Sequence, residues 1–346
     1  MLSKNDFNKN NLNTDNSPLI LSSLIIGIDI AKSSFDISFL QNNIAFYARF
    51  CNHDDGFLDL SNYLTNHLTE HKITCLNIHF IMESTNIYWQ ALAFWAYQAG
   101  FLVSVVNPAF IRAYAKSLGI RNKTDKQDAA LLARYGRHEN PPLWQPPSPI
   151  EDKMISLVRQ RRHSKHKLTN ELTRLETANC HTLSFIQSTI SYWQTHIQKL
   201  DCVIWQTINS DVNLKVRARL LHSIPGIGKK SIPPLLALIG DGSRFASSKH
   251  LVSFVGLVPR AYQSGSSINK QTTIGHSGRP DIREVLYMPA VVVSFGRYKA
   301  FQPFVQRLLA NGKCKKQVIV AVMRKLLAIC HVVIKTGQPF NPSLHQ

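Results

Sequence analysis

The chain has 346 residues, 44% of them hydrophobic, with 40 Lys and Arg against 21 Asp and Glu and a formal net charge of +19. That apolar fraction excludes a disordered polyelectrolyte, and the length allows two or three domains with cores of their own. The basic excess favours a polyanionic partner, and no uninterrupted apolar run reaches the ~18 residues of a membrane span.

Basic residues concentrate around Arg112–Arg137, Lys153–Arg174 and Lys215–Lys230. That clustering weighs against a merely solvated basic surface. Cys51, Cys75, Cys180, Cys202, Cys314 and Cys330 are scattered without CxxC spacing, which fits reduced thiols and a cytoplasmic protein better than a zinc site or a disulfide framework.

In chain order, the Asn-rich start MLSKNDFNKNNLNTDNSP lacks the apolar stretch of a signal peptide and predicts a disordered tail over 1–20. SLIIGIDIA, FDISFL and NIAFYARF then read as three strands. GFLDLSNYLTNHLTE has helical spacing, and CLNIHFIM reads as a buried strand. IYWQALAFWAYQAG is helix-like and ends on Gly100, FLVSVV is a strand, and PAFIRAYAKSL is a helix with Pro108 at its start. The order β-β-β-α-β-α-β-α predicts an α/β domain of RNase H-like (RuvC-like) type over 21–149, closed by the Pro-rich HENPPLWQPPSP. Residues 150–215 predict two long helices, an antiparallel pair or coiled coil. Residues 216–340 predict a mostly helical section, interrupted by a polar Gly/Ser-rich loop at 263–280.

Four acids stand out against this basic background: Asp29, Glu83, Asp125 and Asp128. Asp29 lies between Ile28 and Ile30, where an unpartnered carboxylate would be costly. Glu83 ends an apolar run. Asp125 and Asp128, three apart at a helix start, share one face. Two-metal phosphoryl transfer needs carboxylates from separate elements around Mg2+, and an RNase H-like sheet sets its first and fourth strands side by side. Taken singly, Glu83 reads equally well as a solvated strand end, and Asp125 and Asp128 read better as a helix cap and a first-turn dipole partner. The combination with Asp29 favours a metal site. Asp36, alternating onto an outward face of the second strand, is left out of it.

LLHSIPGIGKKSIPPLLALIG reads as a helix-hairpin-helix-like element. Gly226 and Gly228 would let the backbone approach a phosphate, with Lys229 and Lys230 adding charge; an ordinary helix–helix turn is nearly as good a reading. Lys123, Lys126, Arg161, Arg162, Lys165, Arg260 and Arg279 complete the candidate nucleic-acid contacts. Ser264, Ser266, Ser267 and Ser277 sit in the polar stretch, and chemistry alone does not choose a nucleophile among them.

GIDIAKSSFD, IMESTNIYW, VVNPAFIRAYAKSLGIRNKTDKQDAALLARY, SIPGIGKKS, GLVPRAYQSGSS and SGRPDIREVLYMPA, in that order over about 24–340, together resemble the DEDD-type insertion-sequence transposases related to the Piv DNA invertase, the insertion-sequence one-ten family. The resemblance implies that Asp29, Glu83, Asp125 and Asp128 form the family's magnesium-binding tetrad. It also implies that Ser264, followed by Gly265, is the nucleophile that forms a covalent phosphoserine with DNA, in a site assembled between subunits of a dimer or tetramer. A structured non-coding guide RNA from the same element is implied as a further partner. Competing expectations are a RuvC-type junction nuclease that uses water, and a non-catalytic nucleic-acid-binding protein on the same scaffold. A sugar-kinase or actin-like ATPase fits poorly, because AKSS follows Asp29 where a Gly-rich phosphate loop would stand.

Overall fold

A computed structural model describes residues 23–41, 44–70, 77–120, 124–264, 268–275, 278–296 and 298–345. The chain divides into two units, 1–146 and 147–346.

The first unit is built on a five-stranded mixed sheet in the order β3-β2-β1-β4-β5. β1 (Ser23–Ile30), β2 (Ser34–Gln41) and β3 (Ile44–Cys51) form an antiparallel meander, and β4 (Asn77–Glu83) and β5 (Leu102–Val106) continue it in parallel with β1. Helices α1 (Asp54–Glu70), α2 (Trp89–Gln98), α3 (Pro108–Ser117) and α4 (Asp125–Glu139) cover it.

The strand alternation divides the sheet's side chains between two cores. Ile26, Ile28 and Ile30 join Phe35, Ile37 and Phe39 under Phe57, Leu60 and Leu64 of α1 and Leu92 and Ala96 of α2. On the other face Ile25 and Ile81 meet Ile111 of α3 and Leu131 and Leu132 of α4. Gly27 lies on this second face, where an added Cβ would sit 2.0 Å from the Ala129 carbonyl oxygen, so α4 packs directly on the β1 backbone. Further along α4, Gly136 meets Ile81 and Ile25 in the same way. The helix therefore runs antiparallel to β1, and its first turn lies at the carboxyl end of β1 and β4. The Pro-rich segment after α4 packs onto this unit: Ser104 Oγ donates to the Pro141 and Pro142 carbonyls, and Trp144 N–H donates to Val103 O at 2.7 Å.

In the second unit α5 (Pro149–Leu175) starts at a Ser148/Glu151 capping box and lies against α6 (Leu183–Ser210), with Arg161 of α5 ion-paired to Asp201 of α6. The remaining helices are α7 (Val212–His222), α8 (Ile232–Ile239), α9 (Ser248–Val255), α10 (Pro280–Phe295), α11 (Gln302–Ala310) and α12 (Lys315–Thr336). By length and composition α12 is apolar enough to cross a membrane. It packs instead as the central core helix, burying Val318, Val322, Leu326, Leu327 and Cys330.

Two features differ from the sequence-based expectation. The section 150–215 is not a unit of its own: Met154, Ile204 and Ile208 share one core with Leu235, Val255 and Leu326. The stretch expected as a loop holds an antiparallel hairpin, β6 (Pro259–Ser264) and β7 (Ile268–Ile274). Its strands, PRAYQS and INKQTTI, lack the apolar alternation that announces a half-buried strand.

Candidate active site

β1 and β4 pair in parallel with Ile28 opposite Met82. Asp29 and Glu83, one residue further on each strand, therefore leave the sheet at the same level and on the α4 face. Thr85 Oγ1 donates to Glu83 Oε1 at 2.6 Å, in a turn where Asn86 takes a left-handed backbone (φ 56°). Asn tolerates that conformation better than other side-chain-bearing residues.

The α4 terminus adds the other two acids. Thr124 is the N-cap, its side chain accepting from Gln127 N–H at 3.2 Å. The capping role is therefore filled by Thr124, and Asp125 and Asp128 occupy the first turn, where the helix dipole favours negative charge. Asp125 is exposed and ion-paired with Arg49 of β3.

Asp36 corrects the sequence reading. It is 2% exposed rather than facing outward, because α4 covers that face of β2 as well. It lies directly opposite Asp29 on one side and Arg49 on the other, so the three form a row across β1, β2 and β3. Arg49 Nε and Nη2 each reach Asp36 at 3.0 Å, and Tyr47 OH also donates to Asp36. The two carboxylates hold the Arg49 proton more tightly than usual, and the bond to Asp36 raises the Tyr47 hydroxyl above its ordinary range. Lys126 Nζ stands 5.4 Å from the centre of the Tyr47 ring. Arg49 thus links the buried Asp36 to the first turn of α4. The sequence signal that could have found this network is the short AKS turn between β1 and β2, which fixes a register pairing Asp29 with Asp36.

Hard carboxylate oxygens suit Mg2+, and Asp29, Glu83, Asp125 and Asp128 share one end of the sheet. The donor chemistry suits such an ion. Among the described residues, however, no three His, Cys, Asp or Glu side chains stand close enough to hold a metal as they are arranged, and Asp125 is turned to Arg49.

The other candidates fall in the second unit or outside the described residues. Ser264 ends β6, with its backbone paired to Ile268; Gly265, Ser266, Ser267, Ser277 and Lys123 lie outside the described residues. Arg260 is on β6. Arg161 is committed to Asp201, Lys165 bonds Glu284 at 2.6 Å, and Arg162 and Arg279 both approach Asp281. Lys229 and Lys230 are exposed in the turn between α7 and α8. Gly226 in that turn (φ +82°) presses on Val293 and Pro289 of α10, so close packing accounts for its missing side chain, while Gly228 faces open space.

Comparison with known proteins gives the family. Residues 218–306 match the model described as transposase IS116/IS110/IS902 family, and residues 26–178 match the IS110 DEDD model described as transposase. The pilin gene-inverting proteins of Moraxella lacunata and Moraxella bovis are each 51% identical over 326 residues, covering 94% of this chain and 100% of theirs. The transposase for insertion sequence element IS1328 of Yersinia enterocolitica is 25% identical over 92% of this chain and 98% of its own length. The chain belongs to the IS110 family of DNA transposases and invertases, and it is a DNA transposase/recombinase enzyme.

Proposed function

We propose that the chain is a site-specific DNA recombinase that cuts and rejoins strands through a covalent Ser264 phosphodiester, with an RNase H-like catalytic domain over the first unit. The observation that carries the reading is the placement of Asp29 and Glu83 on adjacent parallel strands, with the first turn of α4 at the same end. Asp29, Glu83, Asp125 and Asp128 are the residues that would hold Mg2+. When bound, the ion supplies Lewis-acid stabilisation of charge on the phosphate.

In the first chemical step the Ser264 hydroxyl gives up its proton as its oxygen forms a bond to phosphorus, the bond from phosphorus to a deoxyribose oxygen breaks, and the leaving oxygen takes up a proton, so that no net proton is gained or lost. Rejoining reverses this with a hydroxyl from another strand, so no phosphodiester is lost. A guide RNA from the same element, action as a homo-oligomer and a cytoplasmic, nucleoid-associated location complete the proposal. The +19 charge supports the polyanionic partners, and the likeness to pilin gene-inverting proteins supports inversion as one outcome.

The test is a denaturing gel with DNA carrying the recombination site. The expected result is a magnesium-dependent protein–DNA adduct that Ser264→Ala and Asp29→Asn both abolish. Strand cleavage that survives Ser264→Ala without an adduct would establish the water-using junction nuclease instead. DNA binding with full biological activity in Asp29→Asn and Glu83→Gln would establish the non-catalytic reading.

A further inference from the structure

The C-terminal end of α9 gathers arginines from three parts of the second unit. Arg279 N–H donates to the Val255 carbonyl at 3.2 Å, and Arg283 Nη1 donates to the same oxygen at 2.9 Å. One residue back, the Phe254 ring lies 5.8 Å from the Arg244 guanidinium, which also stands 5.6 Å from the Phe245 ring. From α5, Arg162 reaches Asp281 at 3.8 Å, the same carboxylate that Arg279 binds at 2.6 Å. Arg159, one turn earlier on α5, is exposed.

Some of this charge has a structural use. Arg283 and the Arg279 amide cap the negative end of α9, and Asp281 partly neutralises Arg162 and Arg279. Those roles leave Arg159 and Arg244 over. Arg244 stacks on aromatic faces that orient its guanidinium without cancelling its charge. Its proton is held less tightly than usual, through desolvation by the surrounding residues and repulsion from Arg279 and Arg159. Arg162 and Arg279 thus share the single carboxylate of Asp281, while Arg159 stands one turn before Arg162 on α5 and Arg244 lies on Phe254, next to the Val255 that binds Arg279. An anion that joins them relieves the repulsion, and planar forked donors match phosphate oxygens.

The cluster also has a defined place relative to the proposed nucleophile. The bond between Arg279 and Val255 closes the segment that contains β6, Ser264 and β7, so the arginines stand at the base of that hairpin.

We infer that Arg159, Arg162, Arg244 and Arg279 form a phosphodiester-binding site that grips the backbone of the nucleic acid presented to Ser264, irrespective of base sequence. The inference deepens the proposed function and rests on the reading of this chain as a DNA-joining enzyme, but its test does not depend on cleavage. The affinity of the full chain for a fluorescein-labelled 30-base-pair duplex of arbitrary sequence is measured by anisotropy across a NaCl series. Each phosphate contact contributes about 0.9 to the slope of log affinity against log salt. Arg159→Gln is expected to lower that slope by about 1, and Arg159→Gln/Arg244→Gln by about 2, equally on two unrelated sequences. An unchanged slope in both variants overturns the site. If the double variant loses its thermal transition, Arg159→Gln alone decides, because that side chain is exposed and packs into no core. A sequence-dependent loss would assign the arginines to base reading and likewise overturn it. Ser264→Ala should retain the wild-type slope, so a failed adduct experiment and a failed phosphate site give different results.

Discussion

Arg49 of β3 is ion-paired with Asp125 in the first turn of α4 while its guanidinium also grips the buried Asp36. A candidate metal ligand is thereby held by a cation of the chain itself. Guanidinium and divalent ion compete for one carboxylate. Because the pair is largely exposed, water and salt screen it and the competition is modest. Arg49→Met is therefore expected to tighten Mn2+ binding about two- to fivefold, read by calorimetry or by the spin signal of free Mn2+. Weaker binding in the variant would show that Arg49 positions Asp125 for the metal rather than competing with it.

Gly27 fixes how close α4 comes to the sheet. The Cβ of Gly27→Ala would overlap the Ala129 carbonyl and the Ala133 amide nitrogen, both rigid helical backbone. Overpacking of this kind costs about 3 kcal/mol. The expected outcome is a lower urea midpoint for the first unit, with Mn2+ binding weakened because the first turn of α4 is pushed away from Asp29.

His79 gives the first unit a pH dependence. It is 4% exposed, bonded to Ser104 Oγ at 2.8 Å, and burial lowers its pKa. Ser104 donates its own proton to the proline carbonyls, so His79 must donate to Ser104 as the neutral ring. The unfolded chain takes up a proton near the ordinary histidine pKa of about 6.5, which the folded chain resists. Stability is thus present above about pH 6.5 and is lost as pH falls below it. Urea midpoints at pH 7.5 and 5.5 should diverge in the wild type and converge in His79→Gln.

Cys330 lies in the core on α12, and burial pushes its thiol up to about 12. At pH 8 the thiolate is scarce and inaccessible, whereas Cys51, Cys180, Cys202 and Cys314 are exposed. Ellman's reagent should modify those four quickly and Cys330 only on unfolding. Because the folded pKa is raised, the stability that Cys330 contributes is complete below the unfolded thiol pKa and declines from about pH 9 to 12.

Local signals in the chain determined a good deal. Alternation in SLIIGIDIA and FDISFL, the apolar run ending at Glu83 and the helix start at Asp125 and Asp128 each act over a few residues. The strands, the helix starts and the order of the first unit were therefore legible, and so was the nearness of the first and fourth strands. The tertiary structure decided what depends on contacts between distant segments. Asp36 reads as an outward residue until α4 is laid over β2, and only the pairing of β2 with β3 brings Arg49 to it. Gly226 reads as a phosphate-facing glycine until α10 is packed against it. The β6–β7 hairpin carries no apolar period, and the core that joins Met154 to Leu326 spans helices far apart in sequence. Periodicity records which face of an element is buried, but not which partner buries it, and in this protein the partners set the charge network around the candidate site.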